Sequence, residues 1–134
     1  MMPSQTAFAA AAEDLVGTPF RLRGRDPATG IDCVGLVLCS LIAIGREPPR
    51  LPHYTLRNTE VAPLLDLLPD AGFRAVGSAM QSGDLLLLRP SPGQFHLAIV
   101  KHSNRLIQAH AGLGRVVISP VPDPMPTAGH WRLT

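Results

Sequence analysis

Between Asp32 and Gly45 the chain runs for twelve residues, Cys33–Ile44, in which Ser40 is the single hydroxyl and no side chain is charged. A segment that apolar on nearly every side must be buried, and twelve residues exceed the usual strand, so the run predicts a central helix around which the rest must wrap. Gly45 stands where such a helix needs a left-handed residue to end. What can surround it is bounded by length: 134 residues make one domain, 1–134, with one core. With 46% hydrophobic residues that core can form by packing alone. The two cysteines, Cys33 and Cys39, six apart, give neither a disulfide framework nor paired C-x-x-C knuckles for zinc.

On either side of the central run the pattern changes. Residues Ser4 to Val16 place small apolar positions at helical spacing, with Ser4 or Thr6 as a cap and Gly17-Thr18-Pro19 as a stop, which predicts a first helix. Phe20 to Asp32 is turn chemistry and reads as a surface loop. After a Pro-rich loop at 46–58, Thr59-Glu60 opens a short helical pattern through Leu68, with Pro63 in its first turn. Beyond Gly72 the segments 84–88, 96–101, 105–110, 114–119 and 130–133 read as short strands of an antiparallel meander, and 120–126 as a rigid extended connection. Helices first and strands after predict α+β, with N-terminal helices, the Cys-bearing one central, packed on an antiparallel β-sheet.

Charge narrows the partners. Twelve basic and ten acidic side chains leave a net +2, and eleven of the twelve are Arg scattered singly, so nucleic acid is not expected as a partner. No stretch reaches the ~18 apolar residues of a membrane span, so no membrane insertion is expected. The apolar start near Phe8 has no basic residue before it and runs into Glu13-Asp14, a poor signal peptide. The expectation is synthesis in the cytoplasm, with any export by a route that these residues do not display.

Cys33 opens the buried helix directly after the loop. At that position the helix dipole and free N–H groups favour a thiolate and later an oxyanion, and an element boundary exposes the sulfur. The alternative is a core cysteine, the commoner fate of the residue type. Cys39, inside the run, is packing. A cysteine nucleophile needs a base and the base an orienter. His96 begins one strand and His110 ends the next, with 102–104 as a three-residue hairpin loop between them. If Lys101 pairs with Arg105, opposed positions sum to 206 and His96 falls across from His110, both rings on one face. The alternatives are a cross-strand polar pair or part of a metal site. Metal is disfavoured because H-E-x-x-H, paired C-x-x-C and a nearby carboxylate are all missing from the sequence.

Four stretches carry a resemblance: Gly17–Phe20, Gly30–Val37, Ser82–Leu87 with His96–Val100, and Ile107–Ala111. In order, spacing and content they resemble the successive motifs of the NlpC/P60 cysteine peptidases, from about residue 8 to the C-terminus. The compact form, with Asp32–Val37 and the closing Gly129–Leu133, is most similar to the branch found in phage tails and gene transfer agents. The resemblance implies a papain-like α+β fold with Cys33 as nucleophile, His96 as general base and acid, and His110 as the polar third member. It implies cleavage of peptide bonds in peptidoglycan stem peptides, often between D-γ-glutamyl and a diamino acid, with no metal or organic cofactor, and phage-like tail proteins as further partners. Asp32 raises a neighbouring thiol's pKa, so its expected role is to hold a cationic amine of the stem peptide; the alternative is a helix cap. Many members carry Ser after the Cys and Tyr where Phe20 stands. Val34 and Phe20 remove both hydroxyls, which alters the substrate-binding position that Phe20 occupies. Arg21, Arg23 and Arg25 could meet stem-peptide carboxylates or be solvated loop charges. Two further classes stay open: another papain-like amidase or acyltransferase, and a structural tail-tip or hub module without turnover.

Overall fold

The computed structural model describes residues 3–51, 62–102 and 104–134. The apolar run forms α2, Cys33–Ala43, buried along Cys33–Leu38 and at Ser40 and Leu41. It is not buried all round, since Ile42 is 55% exposed. Ser40 donates its hydroxyl to the Leu36 carbonyl at 2.7 Å, which removes the cost of burying it. Gly45 has φ 84° and takes up the left-handed turn expected of it.

Helix α1, Ser4–Asp14, is rich in alanine and seats Phe8, Ala9 and Ala12 in the core, with Phe8 edge-on to Phe73 at 5.5 Å between centroids. Its cap differs from the expectation. The chain enters at Pro3 with no side-chain cap, and the Ser4 hydroxyl instead accepts from Arg46 Nη2 at 3.1 Å. Between the helices, the loop expected over 20–32 contains a small hairpin of β1, Arg25–Asp26, and β2, Gly30–Ile31. The loop lies directly on the start of α2: a Cβ on Gly35 would sit 2.1 Å from the Gly24 carbonyl oxygen, so only glycine fits there. Of the helix expected over 59–68, Ala62–Leu65 is helical and forms α3. Its expected start at 59–61 lies outside the described residues.

Six strands make the main sheet: β3 Phe73–Ala75, β4 Leu85–Ser91, β5 Gln94–His102, β6 Arg105–His110, β7 Arg115–Pro120 and β8 Thr127–Leu133. Their order is β3-β8-β4-β5-β6-β7, all antiparallel where paired. The consecutive meander expected from the sequence holds for β4 to β7, but β8 returns to lie between β3 and β4. Alternation sorts the side chains by face. Leu85, Leu87, Leu97, Ile99, Ile107 and Val116 join the core with α1 and α2. On the other face Leu86, Leu88, Ala98, Val100 and Leu106 are covered by Met80, Val121 and Met125, so the Pro-rich connection straps that face. The expected α+β layering, with helices on one side of the sheet, is what the structure has. Among the described residues no helix is long and apolar enough to cross a membrane.

What holds β8 in the middle of the sheet is a buried carboxylate. Asp84 is 0% exposed and accepts from Arg132 Nε at 2.8 Å and Nη2 at 2.9 Å. His130 Nε2 meets it at 2.7 Å and the Gln81 amide donates at 2.9 Å. Burial works against its ionisation, yet the hydrogen bonds from Arg132 and His130 outweigh that and hold the carboxyl below its ordinary value. Arg132 also donates to the Ala79 carbonyl, tying the segment before β4 to the last strand.

Candidate active site

Register decides where the expected groups meet. Ile99 pairs with Ile107 and Val100 with Leu106, so the sum of 206 is realised in the middle of the hairpin. At the loop end, however, His102 pairs with Arg105 across a register shift, in place of the expected Lys101–Arg105 pair. At the other end the paired positions stop at Ile99↔Ile107, although β5 begins at Gln94 and β6 runs to His110. The two strands fork there. Because the Val100 amide donates toward β4, alternation aims the Leu97 amide into the fork.

Cys33, at the start of α2, joins the core cluster that also holds Leu97, Ile107 and Ala109. The backbone N–H of Leu97, the neighbour of His96, and those of Val34 and of Cys33 itself favour its thiolate. The helix start thus supplies the N–H groups expected of it, but the sulfur is buried, with Cys33 only 3% exposed. This corrects the expectation of an exposed thiol with a lowered pKa. Burial, aided by the Asp32 charge, outweighs the three amides and pushes the thiol up to about 12.

Asp32 caps α2. Its carboxylate accepts from the Gly35 amide at 2.8 Å and the Arg23 amide at 2.8 Å, and pairs with Arg25 Nη1 at 3.4 Å. Arg23 reaches it only by taking φ 60°, an unusual left-handed value for a side-chain-bearing residue. With 1% exposure Asp32 serves the helix start and the loop, the helix-cap alternative read from the sequence. Phe20 is half-buried against the core, its amide donating to the Gly114 carbonyl at 2.8 Å, so it braces the loop onto the turn after β6.

His96 is half-buried near the start of β5. Its Nε2 meets Gln108 Oε1 at 2.8 Å, and Gln108 Nε2 donates to Ser119 Oγ. An amide oxygen only accepts, so the ring carries its proton on Nε2 and leaves the Nδ1 lone pair free for a proton. Burial holds the imidazole below its ordinary value, the Gln108 bond opposes this, and His110 adds to the lowering, so the ring is neutral at pH 7.

The side chain that meets the His96 ring is therefore Gln108, where His110 was expected. His110 Nδ1 accepts from the Leu113 amide at 2.9 Å, within the turn that leads to β7. The strands diverge before the position at which the two rings would oppose, and the turn captures His110. Sequence reasoning weighed only histidines. The usable signal was period two: residue 108 shares the face of residues 96 and 110 and is the diagonal neighbour in the 206 register. No hydrogen bond joins Cys33 to His96. Cys39, read as packing, is half-buried and donates its thiol to the Arg25 carbonyl at 3.2 Å.

The NlpC/P60 family profile matches residues 17–133. Similar solved structures include the NlpC/P60 domain of the peptidoglycan hydrolase SagA, 22% identical with TM-score 0.68, covering 98% of this chain and 99% of that one. NlpC1 from Trichomonas vaginalis is 15% identical with TM-score 0.73 over 99% of this chain, which spans 46% of that protein. The peptidoglycan hydrolase RipB from Mycobacterium tuberculosis is 21% identical with TM-score 0.63, over 98% of this chain and 67% of that one. At these identities the likeness is one of fold. No curated protein matches the chain.

Proposed function

The chain belongs to the NlpC/P60 family, and from that premise we propose that it is a cysteine peptidase or amidase that hydrolyses peptide bonds in the stem peptides of bacterial peptidoglycan. The observation that carries the reading is the fork, where the amide next to His96 favours the Cys33 thiolate and Gln108 sets the His96 tautomer. Two fold neighbours, SagA and RipB, are described as peptidoglycan hydrolases, which supports the substrate class.

In the resting state both partners are uncharged, so the proton moves during attack. As substrate closes the gap between ring and thiol, His96 Nδ1 takes the Cys33 proton and the sulfur bonds to the peptide carbonyl carbon. The oxyanion develops beside the N–H groups of Cys33 and Val34 at the start of α2. His96 then returns its proton to the leaving nitrogen as the C–N bond breaks. Water, deprotonated by His96, attacks the thioester and releases the thiol. Gln108 keeps the ring in the productive tautomer throughout.

The finer reading is the bond between γ-D-glutamyl and a diamino acid, in a protein of the phage-tail or gene-transfer-agent type that works with tail proteins. It is supported by the motif content of Asp32–Val37 and Gly129–Leu133. The buried sulfur favours one rival, a structural module of the same fold without turnover. Defined muropeptides incubated with wild type and Cys33→Ala and resolved by mass spectrometry decide between them. Wild type is expected to give the two fragments of a cut after γ-D-glutamate, and Cys33→Ala none. Intact muropeptides from wild type, over a range of pH and stem types, would overturn the hydrolase reading.

A further inference from the structure

We propose that Arg89 is a substrate-binding residue: its guanidinium takes a carboxylate of the stem peptide close to the bond that is cut. The placement follows from strand register. Leu88 pairs with His96 and Leu87 with Leu97, so Arg89 stands one position past the partner of His96. Along β4 it lies about 7 Å from Leu87, whose partner Leu97 offers the amide that favours the Cys33 thiolate. Its backbone is fixed there, because its amide donates to the Pro126 carbonyl at 2.7 Å.

The side chain, though exposed, is ordered before any ligand arrives. Its guanidinium carbon lies 5.5 Å from the ring centroid of Phe95, the residue before His96, and Phe95 is itself packed against the core cluster that holds Cys33. Nε and Nη2 both donate to the Pro92 carbonyl in the loop between β4 and β5, at 3.1 and 2.6 Å. These bonds occupy the Nε–Nη2 side of the guanidinium and leave the Nη1–Nη2 end for a ligand. Among the described residues no carboxylate pairs with Arg89, in contrast to Arg132 and Arg25. A guanidinium held in place with one forked edge open matches a carboxylate through two parallel N–H···O bonds. The identity of the ligand rests on the proposed function. A γ-glutamyl linkage leaves the glutamate α-carboxylate free a few bonds from the cleaved carbonyl, and the diamino acid beyond the cut can bring a carboxylate of its own. Both present the same chemistry to Arg89.

Binding is measured first, in the Cys33→Ala protein so that turnover does not interfere. The probes are L-alanyl-γ-D-glutamyl-diaminopimelate, the same peptide amidated at the glutamate α-carboxyl, and the same peptide amidated at the diaminopimelate carboxyls. Calorimetric titration is expected to show that one of the two amidations weakens binding about tenfold, the lower end of the cost of losing hydrogen bonds to a charged group. That amidation identifies which carboxylate Arg89 holds. With Arg89→Gln added, the unmodified peptide should bind about tenfold more weakly and the same amidation should no longer matter, while the melting temperature stays put. Arg89→Lys, which keeps the charge and loses the fork, should recover part of the discrimination. Discrimination that is equal with and without Arg89 overturns the proposal, and so does an equal loss for all three peptides, which a role confined to the hairpin would give. If wild type cleaves the peptide in either of those cases, the hydrolase reading stands without Arg89. The expected binding pattern in a protein whose wild type cleaves none of the peptides upholds Arg89 and sinks the hydrolase reading. A protein that binds none of them overturns the proposal as well.

Discussion

Two regions of the sheet bury titratable groups, and they neutralise them in opposite ways. Where β4 meets β8, Asp84 is ionised and matched by Arg132, His130 and the Gln81 amide. Where β5 and β6 fork, Cys33 is buried and His96 half-buried, and both are held in their uncharged forms. The first region spends its polar groups on one another and stabilises strand order. The second holds a proton donor and a proton acceptor that no hydrogen bond joins, with amides favouring the thiolate and an amide oxygen fixing the ring. A site built only for stability would pair its groups as Asp84 does. The fork leaves reactivity available to something that enters it.

The contrast is broken most severely at Asp84. Asp84→Ala leaves the Arg132 charge buried without its partner, and a loss of about 3–5 kcal/mol is expected from chemical denaturation. The same pair sets an acid limit. Because the folded carboxyl lies below its ordinary value of 3.8, its contribution is complete above that pH and is lost as pH falls through the lower folded value. Denaturation curves for wild type should weaken in acid, and those for Asp84→Ala should be flatter there. An Asp84→Ala protein as stable as wild type would contradict the structural role.

At the fork the larger effects should fall on rate. Gln108→Ala is expected to lower kcat on a cleaved muropeptide by about 10–100-fold, as removal of an outer partner of a reacting group does, with little change in denaturation midpoint. His110→Ala should cost far less, because its Nδ1 serves only the turn to Leu113. The reverse ranking would restore His110 as the third member.

The smallest expected effect sharpens the comparison at Asp32, a buried carboxylate that serves the fork by capping its helix. Asp32→Ala removes a cap, at about 0.5–2 kcal/mol, and also removes the charge that raises the neighbouring thiol. The variant should be less stable while its Cys33 titrates lower than in wild type, read from thiolate absorbance in a Cys39→Ala background.

Much of this was legible in the sequence for reasons that are local. The apolar run and Gly45 announce α2, and period-two alternation announces β4 to β7. Asp32 before an apolar run is a cap signal that the structure bears out. The return of β8 between β3 and β4 was hidden because it depends on Asp84 meeting Arg132, 48 residues later. β3 was missed because three residues carry no measurable alternation. The helix-start argument identified the amides around Cys33, yet it did not foresee that burial would outweigh them, since burial depends on elements distant in the chain. Gln108 was missed because attention went to residue types that titrate, whereas what fixes a tautomer is an acceptor of settled orientation.

The central claim is that Cys33 and His96 act as one unit, uncharged at rest. The direct test is the pH dependence of Cys33 alkylation, followed by mass spectrometry of the labelled peptide in wild type and His96→Ala. The account predicts slow labelling of wild type at neutral pH, with an inflection below the ordinary histidine value that His96→Ala abolishes. A rate that follows an unperturbed thiol and is the same in both proteins would contradict it.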